Sequence, residues 1–312
     1  MSVLSRLSAG NKILRWQMPT SKMKQREAVD GYLFIMPWLI GFVLWTAGPM
    51  IASIVLAFMS WDLFSDPVWV GFANFSMLFE DRLVRISLWN TAYYTFLGVP
   101  LALTTALGMA LLLDQRIHFL AWFRTFFYLP SVMPAVANAV LWMWILNPDV
   151  GLANALLRLL GLPELQWLWH PATAKPAFIL MSLWGIGNAM VIFLAGLQSI
   201  PASLYEAAEI DGANWWHRFR AVTIPMLSPI ILFNLVIGII GSFQIFTNAL
   251  LLTNGGPQHS TLFMVLYLYR LGFEQFRMGY ASAVAWLLFI VILVFTIAQL
   301  QLAKSRVHYE GG

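Results

Sequence analysis

Six apolar runs divide this sequence, and each excludes Asp, Glu, Lys and Arg except at its edges. They fall at about 32–58, 88–113, 123–146, 177–197, 227–252 and 279–302, with Asp114 and Arg124 as edge charges. A helix needs roughly 20 apolar residues, at about 1.5 Å each, to cross a hydrocarbon core of about 30 Å. The runs meet that length. Over 312 residues the chain is 60% hydrophobic and only 10% charged, too few polar groups to cover a soluble surface. The expected class is an all-α integral membrane protein with six transmembrane helices, covering 32–302 between a basic tail (1–31) and a short C-terminal tail (303–312).

The missing charges also bear on energy coupling. One charge at the bilayer centre costs roughly 2.5–3.5 kcal/mol. Proton- and sodium-driven carriers accept that cost to build a relay; these runs contain none, which weakens a secondary transporter as a reading. Cysteine is absent, so disulfides and thiolate chemistry are excluded.

Orientation follows from Lys and Arg. Residues 1–31 hold Arg6, Lys12, Arg15, Lys22, Lys24 and Arg26 against Glu27 and Asp30. The run after them is too long for a cleaved signal and reads as a retained span. The basic tail suits anionic lipid headgroups better than nucleic acid. With this tail in the cytoplasm, Arg116, Arg218, Arg220, Lys304 and Arg306 also fall inside, which places both termini and the 198–226 loop on the cytoplasmic side.

That loop holds Glu206, Glu209, Asp211, Arg218 and Arg220 within "YEAAEIDGANWWHRFRAVTIPMLSP". Pro201 suits a first helical turn, and Ser203 with Glu206 has capping-box spacing. Asp211-Gly212 stops the helix, Gly212 being free to turn left-handed. Asn214 caps a second helix running towards Ala221, and Pro225 and Pro229 begin the fifth span. A simple reversal needs about five residues; this loop spends many more and builds a shape. Two readings fit it: a docking element, with Ala207 and Ala208 allowing close approach, or an interfacial anchor.

Outside the loop, "NPDVG" (Asn147–Gly151) and "TNGGP" (Thr253–Pro257) read as tight turns. Ser260 or Thr261 caps a short helix through Leu271, either re-entrant or interfacial. The triplet Asn74–Ser76 fits a glycosylation site, a pattern common by chance. "GIG" (Gly185–Gly187) lies inside a span and reads as helix packing.

The loop resembles the EAA motif of permease subunits in ATP-binding-cassette importers, through Glu206, Ala207, Ala208 and Gly212, then Val222, Ile224 and Pro225. The carbohydrate form, EAA-x-x-DGA, fits through Asp211, Gly212 and Ala213. "GFANFSMLFED", "WNTAYYT", "FRTFFYLPSVMPAVANAVLWMWILNPDVGLANALL", "LTNGGPQHST" and "MGYASAVAWLLFIVI" resemble further family segments in order. The set is similar to the first permease of a sugar, oligosaccharide or glycerol-phosphate importer, of the maltose type but without a large outer domain. The resemblance implies a type I importer fold in a bacterial inner membrane and a coupling helix within Tyr205–Pro225. It also implies a second permease, two cytoplasmic ATPase subunits that hold the ATP and magnesium, and an outer solute-binding protein.

The chain has no G-x-x-x-x-G-K-[ST] loop, so it is not expected to hydrolyse ATP, and no H-E-x-x-H metal motif. Candidate pathway groups are neutral. Asn234, Gly238, Gly241, Gln244 or Ile245, and Asn248 form one stripe of the fifth span. Gly185, Asn188, Ile192 and Gly196 form another on the fourth. Ser131, Ala135, Asn138 and Trp142 form a third. Amides suit a hydroxylated solute; they also mediate helix packing. The rival is a membrane-embedded enzyme acting on lipid-linked substrates, for which Glu80, Asp81, Arg82 and Arg85 are the best cluster.

Overall fold

The computed structural model describes residues 22–115 and 118–303. Arg6, Lys12, Arg15, Arg116 and the C-terminal tail from 304 lie outside the described residues. Contacts divide the chain between Val55 and Leu56. In the first unit, α1 (Lys22–Phe42) continues through a wide π-type turn, Val43–Ala47, into α2 (Gly48–Ala57). Pro37 sits inside α1. The described residues of this unit, up to Val55, are exposed or half-exposed, as expected of a helix made for lipid or a partner.

The second unit opens with a short hairpin, β1 (Met59–Ser60) and β2 (Val68–Trp69), pairing Met59 with Trp69. Then come α3 (Ala73–Glu80) and α4 (Arg82–Leu113), a single helix of 32 residues. α4 begins six residues before the expected 88 because Asp81 caps it, accepting from the Leu83 and Val84 amides. It is the central post, with α8 (Pro171–Trp184), α9 (Gly187–Ser199), α12 (Ile224–Phe243) and α13 (Met264–Tyr269) packed around it.

The expected third span is not one rod. α5 (Leu120–Tyr128) runs through a tight turn, Leu129–Val132, and then bends by 102° into α6 (Ala135–Ile145). Pro134 explains the break, since it lacks an amide and forces its neighbour out of helical geometry. α7 (Leu152–Leu159) follows in the connecting loop. The expected fourth span bends by 46° between α8 and α9. α8 starts at Pro171 rather than 177, so it includes Lys175. At the bend, a Cβ on Gly187 would lie 2.8 Å from Tyr128 Cα and 2.9 Å from the Phe127 carbonyl. Close packing of α9 on α5 therefore requires glycine there, in accord with the packing reading of Gly185–Gly187.

The fifth span also departs from expectation. α11 (Trp215–Arg218), a π-type turn (Phe219–Thr223) and α12 make one apolar helix that stops at Phe243, not 252. The wide turn precedes Pro225, where a regular ladder would lose a bond; the Ile224 amide reaches back to the Phe219 carbonyl instead. Gln244–Phe246 leave the helix, and a second π-type turn, Ala249–Thr253, resumes it.

The segment after "TNGGP" is buried, with Leu262, Phe263, Met264 and Leu266 fully enclosed against α4 and α14 (Met278–Ala303). The 261–271 segment is thus packed inward against neighbouring helices. Thr261 does not cap α13; its hydroxyl donates to the Gly256 carbonyl, and Phe263 takes the cap position. α4 holds the segment in place: Asn90 donates to the His259 and Leu262 carbonyls, and the Met264 amide donates to Thr91.

Two apolar clusters result. One centres on Phe178, Phe243 and Phe263; the other on Ala106, Met190, Phe193 and Leu227.

Candidate functional site

The charged loop folds into α10 (Ala202–Ile210), a glycine turn and α11. Pro201 is the N-cap residue, and no side chain caps the helix. The capping box expected from Ser203 and Glu206 is therefore absent: the helix starts at Ala202, so Ser203 already lies inside it. The stop is as expected. Gly212 has φ +77°, its amide bonds the Glu209 carbonyl at 2.9 Å, and the Ala213 amide bonds the Ala208 carbonyl at 2.9 Å. This is the paired 6→1 and 5→2 closure of a left-handed helix stop. Asn214 caps α11 through the His217 amide at 2.9 Å.

Three side-chain links stiffen the loop. Arg218 pairs with Glu209 across the glycine turn. The Tyr205 hydroxyl lies 3.0 Å from Thr223 Oγ1, joining α10 to the start of the long helix. Trp215 stacks on Phe219, with ring centroids 5.5 Å apart. The other face is left open. Glu206, Ala207, Asp211 and Gly212 are exposed, Ala208 and Ala213 are half-buried, and Ile210 is 87% exposed beside exposed Trp215 and Trp216. Pro225 directly follows the wide turn, whose Ile224-to-Phe219 bond accommodates its missing amide within the continuous helix. The loop thus shows carboxylates and large apolar side chains together on one open face.

A cleft of about 380 Å³ opens between α4, α8, α9 and α12. That is within the range of small-molecule sites. Its polar groups are Tyr94, Ser182, Asn188, Asn234, Ser242 and Asn248, and its lining contains no Asp, Glu, Lys or Arg. Gly98, Gly185, Gly238 and Gly241 keep the walls thin. Asn234 is partly satisfied within its own helix, donating to the Ile230 carbonyl at 3.0 Å. Ser242 donates to Thr95 on α4 at 2.9 Å. Asn248 lines the cleft, and its carbonyl oxygen is buried with no hydrogen-bond partner among the described residues.

The cleft brings together Asn188, Gly241 and Asn248. Gln244 and Asn138 lie outside its lining. Gln244 is exposed because the helix ends at Phe243, which breaks the expected straight stripe; Ile245 takes the inward place. Asn138 sits on α6 beyond the 102° bend, its carbonyl oxygen buried and unpartnered. The α4 contribution, Tyr94, was not legible as a pathway residue. Asn90, Tyr94 and Gly98 do recur at helical spacing, a signal lost among the aromatics of "WNTAYYTF".

Of the charged cluster at 80–85, Asp81 is engaged structurally, while Glu80, Arg82 and Arg85 are exposed. Asp81 caps α4 and accepts from Tyr267 at 2.5 Å and Tyr280 at 2.7 Å. Burial raises its pKa, but the two tyrosine bonds and the Leu83 and Val84 amides outweigh this and hold it below the usual carboxylate range. Among the described residues no group of His, Cys, Asp or Glu is placed to hold a metal. Asn74 is buried and donates to the Ala57 and Met59 carbonyls, so its amide is not free for glycosylation.

Residues 98–308 match the sequence profile described as the binding-protein-dependent transport system inner membrane component. The chain belongs to that family. It is a permease, the membrane component of an ABC-type transporter, with the all-α type I importer fold. The probable ABC transporter permease protein YesP of Bacillus subtilis is 42% identical over 94% of this chain and 96% of its own length. The trehalose/maltose transport system permease protein MalF of Thermococcus litoralis is 32% identical over 92% of this chain and 98% of its own. A permease chain in the crystal structure of a bacterial alginate ABC transporter, complexed with its pentasaccharide-bound periplasmic protein, superposes with a TM-score of 0.80. It is 25% identical and covers 91% of this chain and 96% of that one.

Proposed function

We propose that this permease forms half of the pathway of a sugar or oligosaccharide importer, completed by a second permease. It is coupled through α10 to a cytoplasmic ATPase that binds the ATP and magnesium. A solute-binding protein delivers the solute from the opposite face, and both termini are cytoplasmic in the inner membrane. The observation that carries this reading is the pairing of a charge-free, amide- and hydroxyl-lined cleft with a rigid, exposed α10. Neutral amides exchange hydrogen bonds with hydroxyl groups without holding an ion. The names of MalF and of the alginate transporter, both carbohydrate systems, support a carbohydrate solute.

The site residues divide accordingly. Glu206, Ala207, Ala208, Asp211, Gly212, Ala213 and Pro225 form the coupling loop; Asn188, Gly241 and Asn248 face the solute, with Gln244 and Asn138 as flanking groups. The test is to purify the chain with its native partners and compare wild type with Gly212→Pro and Glu206→Lys. The variants should insert but lose the ATPase and solute uptake. Proline, fixed near φ −65°, cannot adopt the +77° of Gly212. Full uptake by Gly212→Pro would overturn the coupling assignment.

A further inference from the structure

The helix α7 turns an all-leucine face outward. Leu152, Leu156 and Leu159 are 55%, 57% and 83% exposed and lie on one side of the helix, at spacings of four and three. The opposite side is anchored. Asn154, which is buried, donates to the Pro148 and Leu165 carbonyls and accepts from the Leu165 amide and the Trp167 indole. Those four bonds fix the rotation of the helix, so the leucines cannot turn inward. Arg158 and Glu164 pair at 3.2 Å, leaving little net charge nearby. Leu160, Leu162 and Trp169 extend the exposed apolar surface.

The helix is also tethered close to the membrane. The Asn147 turn, closed by the Gly151 amide on the Asn147 carbonyl at 3.0 Å, holds it immediately beyond the end of α6. The bent span α8–α9 separates it from α10, so it lies at the opposite membrane face.

We propose that α7 is an interfacial helix whose leucine face is buried in the leaflet opposite to α10. The adjoining α6 shows Val136, Val140 and Trp144 outward, an apolar surface that favours lipid over a protein partner. So does the composition of α7: its outward side chains are leucines, with Trp169 beside them, the pairing of an interfacial helix. The inference rests on membrane integration and is independent of the solute.

The chain has no cysteine, so single-cysteine labelling reports one position at a time. Leu156→Cys, Leu159→Cys and Glu164→Cys would be labelled with bimane in the full chain, reconstituted in phosphatidylethanolamine–phosphatidylglycerol vesicles. Leu293→Cys on α14 serves as the insertion control. Labels at 156 and 159 should lose fluorescence to a shallow nitroxide lipid and resist aqueous iodide; the label at 164 should do the reverse. Cysteines at 156 and 159 should also resist a membrane-impermeant maleimide that modifies 164. Iodide quenching and maleimide reaction at 156 and 159 equal to those at 164, with the label at 293 quenched by a deep nitroxide lipid, would overturn the proposal and leave a protein partner as the occupant of this face.

Discussion

The Tyr205 hydroxyl lies 3.0 Å from Oγ1 of Thr223, linking the exposed helix α10 to the π-type turn that leads into α12. Thr223 is buried, so the bond lies at the root of the loop and not on its contact face. Together with the Arg218–Glu209 pair, it ties α10 to the long helix, a link that the proposed coupling would use. Tyr205→Phe should keep the ATPase bound, because the outward side chains of α10 are unchanged. It should lower uptake per ATP hydrolysed, with a stability loss of about 1 kcal/mol for one hydrogen bond. Comparing ATPase co-purification with uptake in reconstituted vesicles checks this; loss of both together would mean that the bond only holds the fold.

The glycine turn yields a graded series. Gly212 has φ +77°, and a Cβ added there would meet nothing within 4 Å, so substitution acts on the backbone alone. A left-handed residue other than glycine costs roughly 1–2 kcal/mol, and asparagine costs less than alanine. Thermal unfolding in detergent should rank Gly212 above Gly212→Asn, then Gly212→Ala, then Gly212→Val. Equal stability for all four would show that the turn is remade without strain.

Much of this was legible from residue order. The charge-free runs gave the membrane class because each charge is expensive in lipid, and Asp211-Gly212-Ala213-Asn214 spelled out a helix stop and a cap. What was not legible depended on packing. Pro134 signals a break, but a 102° angle depends on packing that residue order does not show. The end of α12 at Phe243 has no proline or glycine just after it, and Gly241 in its last turn reads equally well as part of the stripe, so a stripe continuing to Asn248 was the natural reading. Asp81 read as one of the charges at 80–85 that a membrane-embedded enzyme could use; its tyrosine partners lie 186 and 199 residues away.

That three-residue contact predicts acid lability. The Asp81 pKa is lowered in the folded chain, where burial is outweighed by the Tyr267 and Tyr280 bonds, so its stabilisation is fully present above the unfolded value of about 3.9. It is lost as pH falls through the folded value. The Tyr267 pKa is raised, first by burial and then by the Asp81 carboxylate, so its bond persists through neutral pH. Asp81→Ala removes a helix cap and two charge-assisted bonds, and should cost about 2 kcal/mol or more. Its unfolding temperature in detergent should fall at pH 7, and the gap to wild type should narrow below about pH 4. A gap that is constant with pH would mean that the carboxylate charge contributes nothing.

The cleft residues separate solute contact from helix packing by opposite effects on stability. Among the described residues the Asn248 carbonyl oxygen is buried without a partner, a configuration that costs the resting protein free energy. Asn188 is exposed to the cleft, and among the described residues its side chain makes no hydrogen bond that a leucine would break. If both amides serve a passing solute, Asn248→Leu should leave stability unchanged or raise it while uptake falls. Losing one hydrogen bond made to solute in transit, about 1.4 kcal/mol, corresponds to about tenfold in rate. Asn188→Leu should behave alike, with ATPase binding retained in both. If these amides instead hold helices together, both variants would unfold earlier and lose assembly along with uptake. Unfolding temperature and initial uptake rate, measured on the same preparations, distinguish the two cases directly, because the packing role moves them together and the solute role moves only the second.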